Sequence, residues 1–112
     1  LMFQMGSVGP MFGQAHHFRI YAPEKIDYAV NRYTNEAKRL YGVIDRRLGE
    51  SAYLAGETYT IADIAVFPWI RNLVGFYEAG ELVGFDDFAE VKRVLAAFVA
   101  RPAVVKGLTI PA

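Results

Sequence analysis

The chain has 112 residues, 54% of them hydrophobic, with 12 Lys plus Arg against 12 Asp plus Glu and no cysteine. That length suits one compact domain, and the apolar share is on the high side for a free-standing one, which implies a surface covered by another domain or subunit. Zero net charge argues against nucleic acid as the main partner. The missing cysteines exclude a disulfide framework, a Cys nucleophile and a thiolate metal site within these residues.

No apolar run reaches the ~20 residues that span a bilayer. The start, Leu1-Met2-Phe3-Gln4-Met5, lacks both the pattern of a signal peptide and a capping residue. It reads as a helix entered part-way, with residues expected upstream. Gly6-Ser7-Val8-Gly9-Pro10 then reads as a break or kink, because Gly is permissive and Pro removes a donor. Residues 11–22, with His16, His17 and Phe18, read as a short mixed connection, and Pro23 as the first turn of the next helix.

The clearest periodicity follows. Ile26, Val30, Tyr33, Ala37, Leu40, Ile44 and Leu48 recur every three or four residues, one face of an amphipathic helix ended at Gly49. Arg32 stands beside this stripe, where a weak Arg32–Glu36 pair is the ordinary expectation. A loop over 54–59 leads to Thr60-Ile61-Ala62-Asp63, the pattern of a capping box, with Tyr59 and Ile64 at staple positions. Between Asp63 and Arg71 no charge intervenes. This helix therefore reads as the buried central one, kinked at Pro68 and carrying the single tryptophan, Trp69. Gly75, Gly80 and Gly84 mark a looser stretch. A last helix carries Phe88, Val91, Leu95 and Phe98 on one face, with Asp87 and Glu90 as its cap and Arg101-Pro102 as its end. No strand is expected, so the fold class is an all-α helical bundle.

Two phrases resemble a known family. Tyr53-Leu54-Ala55-Gly56-Glu57-Thr58-Tyr59-Thr60-Ile61-Ala62-Asp63-Ile64-Ala65 resembles the loop and capped helix of the glutathione transferase C-terminal domain, and Arg101-Pro102-Ala103-Val104 resembles its close. Gly9-Pro10-Met11-Phe12-Gly13-Gln14-Ala15-His16-His17-Phe18, with Tyr21 to Ile26 and Tyr28 to Tyr33, resembles the nu-class branch of bacterial disulfide reductases and yeast nitrogen-regulator proteins. The match weakens around residues 74–94, where Gly84-Phe85-Asp86 and Val94 depart from the family pattern.

The resemblance implies a cytoplasmic, homodimeric, glutathione-dependent disulfide reductase or transferase. Glutathione would be the co-substrate and source of sulfur, with no metal, no nucleic acid and no membrane. A thioredoxin-like N-terminal domain, absent from these residues, would stabilise the thiolate, so the chain is assigned no catalytic residue and by itself is expected not to turn over. The resemblance makes Arg32 the glutathione contact, which suits a guanidinium fork and a carboxylate. It also makes Met5, Met11, Phe12 and Tyr28 a wall for the second substrate, against a reading of all four as ordinary packing. Thr60 and Asp63 are assigned a structural role as the capping box. Adjacent histidines do not share a helix face, so His16 and His17 are expected in loop or rim contacts rather than at a metal. The alternatives are a non-catalytic interaction module, as in elongation-factor or synthetase subunits, and a truncated product with a regulatory role.

Overall fold

The computed structural model describes residues 1–111 as an all-helical bundle. From Met2 to Tyr21 the chain is helical without interruption. An α-helix over Gly9–His16 (α1) is flanked by single wider π-turns at Gln4–Val8 and His17–Tyr21. The expected break at Gly6–Pro10 is therefore absent, and so is the mixed connection over 11–22. At the first π-turn the Gly9 N–H bonds to the Gln4 carbonyl, five residues back, and Pro10 falls in the first turn of α1. A widened turn gives the proline ring room that a strict α-ladder denies it. Gly9 serves packing instead: a Cβ there would lie 3.3 Å from the Trp69 ring, so α1 approaches the third helix closely at this point.

Ala22 is extended (ψ 136°), as a residue before proline should be. Pro23 lies in the connection and not in a helix; helix α2 begins at Asp27, behind Ile26, and runs through Gly49 to Glu50. Its stripe is buried only from Ala37 onward, through Leu40, Ile44 and Leu48. Tyr41, outside the periodic set, is the hub of the core. Its ring stacks on Phe12 of α1 at 5.3 Å and on Phe88 at 5.7 Å, and meets Phe85 edge-on at 6.1 Å. Its hydroxyl donates to the Ile70 carbonyl at 3.1 Å. Burial pushes the phenol's pKa well above its ordinary value.

Helix α3 (Ile61–Val74) opens on the reciprocal clasp expected of Thr60 and Asp63. Thr60 Oγ1 accepts from the Ala62 N–H at 3.2 Å, and the Asp63 carboxylate accepts from the Thr60 N–H at 2.9 Å. Asp63, 1% exposed, also accepts from the Leu54 N–H at 3.1 Å. Arg47 Nε of α2 donates to the Leu54 carbonyl at 2.9 Å, so the loop is tied on both sides. The clasp thus fastens the 54–59 loop as well as starting the helix. The staple does not form: Ile64 is half exposed, and Tyr59 packs on Tyr53 and beneath Arg101, whose guanidinium lies 3.5 Å from the ring centre.

Helix α3 is not buried all round. Val66, Phe67, Ile70 and Leu73 face the core, whereas Ile61, Ile64, Pro68 and Arg71 face outward. The helix continues through Pro68, which lies on the outer side, where water can satisfy the carbonyl that proline leaves without a donor. A short α4 (Gly80–Val83) ends at Gly84 in the left-handed conformation (φ 69°). Helix α5 (Ala89–Val99) buries Val91, Val94 and Phe98, the last stacked on Phe67 at 5.5 Å. Its cap is neither Asp87 nor Glu90. Asp45 of α2 accepts from the Glu90 and Val91 N–H groups at 2.9 and 3.1 Å, while Glu90 pairs with Arg93 at 2.7 Å. Arg101-Pro102 ends α5 and opens a final α6 (Pro102–Gly107). Among the described residues no helix is long and apolar enough to cross a membrane.

Candidate functional site

The first third of α2 runs clear of the core. Tyr28 is 76% exposed, Arg32 is exposed, and Val30 and Tyr33 are half-buried. Tyr33 stacks on Phe18 at 5.4 Å, which props this segment against the end of the first helical rod. Between the segment and α1 lies an open groove of about 590 Å³, within the range of small-molecule sites. Tyr28, Arg32, Asn35, Glu36 and Arg39 follow one another at helical spacing along it, with Asn31 and Tyr33 beside them and Met11 of α1 opposite.

Two guanidiniums face one carboxylate in the groove, and they are not equivalent. Arg39 grips Glu36 with its whole fork, Nε to Oε2 at 2.7 Å and Nη2 to Oε1 at 2.8 Å. That hydrogen-bonded partner holds the Glu36 carboxyl below the usual range; partial burial opposes the shift, and the charges of Arg39 and Arg32 add to it. The ordinary Arg32–Glu36 pair does not form, because Arg39 has taken the carboxylate. Arg32 makes no hydrogen bond or ion pair with any described residue. An unpaired guanidinium beside the phenol of Tyr28, the thioether of Met11 and two carboxamides suits a flexible ligand with a carboxylate and peptide groups.

Of the four residues assigned to the second-substrate wall, the groove brings together Met11 and Tyr28, alongside Arg32. Phe12 is sealed in the core against Tyr41 and reaches no surface. Met11 and Phe12 point about 100° apart around the helix, so one faces the groove and the other the core. Met5 is 66% exposed and lies outside the groove lining. Asn31, Asn35, Glu36 and Arg39 belong to the groove and were not assigned to it from the sequence. The spacing of Asn35, Glu36 and Arg39, three, four and seven residues after Arg32, was the available signal, with Asn31 adjacent to it.

The histidines lie elsewhere. His16 stacks on Tyr77 at 4.0 Å and meets Tyr21 edge-on at 5.0 Å, with Nδ1 buried and without a partner among the described residues. Burial, then the nearby Arg19 charge, lowers its pKa. The Arg19 guanidinium donates to the Tyr77 carbonyl, so these contacts pin the end of the first rod to the turn after α3. His17 packs edge-on against Phe18. Among the described residues no three His, Asp or Glu side chains form a group able to hold a metal.

Fold and groove together define an all-helical domain with an open groove along its second helix, in which two guanidiniums face one carboxylate. The sequence profile described as Glutathione S-transferase, C-terminal domain, matches residues 8–102, and the chain belongs to that family. Among curated relatives, the disulfide-bond oxidoreductase YghU of Escherichia coli is 42% identical over 109 residues, covering 95% of this chain and 38% of YghU. A glutathione transferase family member from Pseudomonas fluorescens, solved with two glutathione bound, superposes with a TM-score of 0.94 at 65% identity, over 99% of this chain and 50% of that one. A glutathione transferase from Pseudomonas putida, solved with one glutathione disulfide per subunit, gives a TM-score of 0.93 at 55% identity, over 99% of this chain and 49% of that one. The chain thus spans about half the length of these structures and less of the curated relative.

Proposed function

We propose that this chain is the helical domain of a glutathione-dependent disulfide-bond reductase, and that the groove along α2 holds glutathione or its disulfide. The observation that carries the reading is Arg32, an exposed guanidinium with no partner among the described residues, lining the same open groove as Tyr28 and Met11. The residues present fit the ligand. Glutathione is a tripeptide with two carboxylates, and the groove offers one free guanidinium fork, the carboxamides of Asn31 and Asn35 for peptide groups, and an apolar side chain at Met11. The names and bound ligands of the relatives support the same choice.

The bound tripeptide supplies the thiol. In the overall reaction two glutathione thiols become one glutathione disulfide while the substrate disulfide becomes two thiols. The contribution of this chain is to bind and orient. Arg32 anchors a carboxylate, and Tyr28 and Met11 flank whichever disulfide approaches. A thioredoxin-like domain supplies the group that stabilises the thiolate, and a homodimer is the working assembly. The outward apolar side chains Leu1, Met2, Ile61 and Ile64 support a covering surface of that kind. Cytoplasmic residence goes with the reading, because there the glutathione pool keeps thiols reduced.

The test is calorimetric titration of the full-length gene product with glutathione disulfide. Arg32→Ala is expected to weaken binding by about tenfold, the loss of ~1.4 kcal/mol of a charge-assisted contact, with an unchanged melting temperature. An unaltered dissociation constant would remove Arg32 and the groove from the site.

A further inference from the structure

We propose that Arg39 is a positioning residue for the anion site, which keeps Arg32 available by holding Glu36 away from it. The inference rests on the reading of Arg32 as the ligand's carboxylate partner. Glu36 stands four residues after Arg32 and three before Arg39, and both spacings bring side chains together on a helix. One carboxylate therefore has two suitors. The structure shows which prevails: Arg39 engages both Glu36 oxygens, at 2.7 and 2.8 Å. The Glu36 side chain is 31% exposed and that of Arg39 60%, so the carboxylate is the more enclosed member of the pair. With both oxygens directed at the Arg39 fork, Glu36 offers Arg32 no good acceptor. Remove the fork, and the other cation whose charge acts on Glu36 is Arg32. An internal carboxylate then competes with the carboxylate of the ligand for the same guanidinium. A lysine in place of Arg39 would keep the charge without the two-pronged grip.

The experiment compares glutathione disulfide binding to the full-length protein, at low ionic strength, for the unaltered chain, Arg39→Ala, Glu36→Gln and the double variant. Arg39→Ala is expected to weaken binding about two- to threefold, the scale of one competing helix-surface pair. Glu36→Gln is expected to change affinity by less than Arg39→Ala does, since its carboxylate is already held by Arg39, and the double variant to recover the affinity that Arg39→Ala loses. If Glu36→Gln tightens binding by as much as Arg39→Ala weakens it, only net charge is at work and the proposal fails. If Glu36→Gln does not rescue Arg39→Ala, Arg39 touches the ligand itself and the proposal fails equally. The Arg32 Nε–H resonance in ligand-free protein gives a readout independent of glutathione. It should shift in Arg39→Ala and return in the double variant; a resonance unmoved by Arg39→Ala overturns the positioning role. An unchanged affinity in Arg32→Ala instead overturns the groove assignment on which it rests.

Discussion

The two halves of α2 share one periodic stripe and meet opposite fates. From Ala37 to Leu48 the stripe is sealed, Tyr41 ties α1, α3 and the turn carrying Phe85 and Phe88 together, and Asp45 caps a helix remote in sequence. From Asp27 to Glu36 the same helix stands half free: Tyr28 is exposed, Arg32 is unpaired and Val30 is only partly covered. Periodicity says that a helix has a buried face; it does not say how far along its length a neighbour is present to bury it. Where the cover stops, side chains are released from packing, and there the groove lies.

This contrast is open to attack on the side of stability. Tyr41→Ala should cost ~3–5 kcal/mol, because it empties a site packed by Phe12, Phe88 and Phe85. Asp63→Ala should cost ~2–4 kcal/mol, since it removes the α3 cap and at the same time strands the part-buried Leu54 N–H. Tyr28→Ala, in the open half, should change stability by no more than ~0.5 kcal/mol. Thermal melts of the three variants check the ranking, and a Tyr28→Ala loss approaching that of Asp63→Ala would erase the division.

A smaller effect belongs to His16. Its pKa in the folded chain lies below the ordinary 6.5, from burial first and the Arg19 charge second. The unfolded chain therefore binds this proton more readily than the folded one. Stability is whole above pH 6.5 and declines as pH falls below it toward the folded value. Melts between about pH 7.5 and about 5.5 should show this slope, flattened in His16→Gln. A slope retained in that variant would place the titration elsewhere.

What was legible in the sequence was local. The Thr60–Asp63 clasp is a four-residue pattern whose partners are neighbours, and it formed. The helical stripe of α2 was legible for the same reason. The cap of α5 was not, because Asp45 lies 45 residues from the N–H it accepts. Gly9 was misread as a breaker, since its lack of a side chain answers to Trp69 on another helix. Phe12 and Met11 share a phrase but face different ways, one to the core and one to the groove, which only the packed neighbours decide. Arg32, expected as the glutathione contact, lines the groove, whereas its freedom from Glu36 depends on a contest with Arg39 that spacing alone leaves tied.

The most direct test of the groove is an amide chemical-shift map of the protein titrated with glutathione disulfide. Shifts should gather at Met11 and along Tyr28 to Arg39, leaving the sealed half of α2 and the core face of α3 nearly still. Shifts concentrated around Ile61 to Arg71, or none at millimolar ligand, would contradict the account.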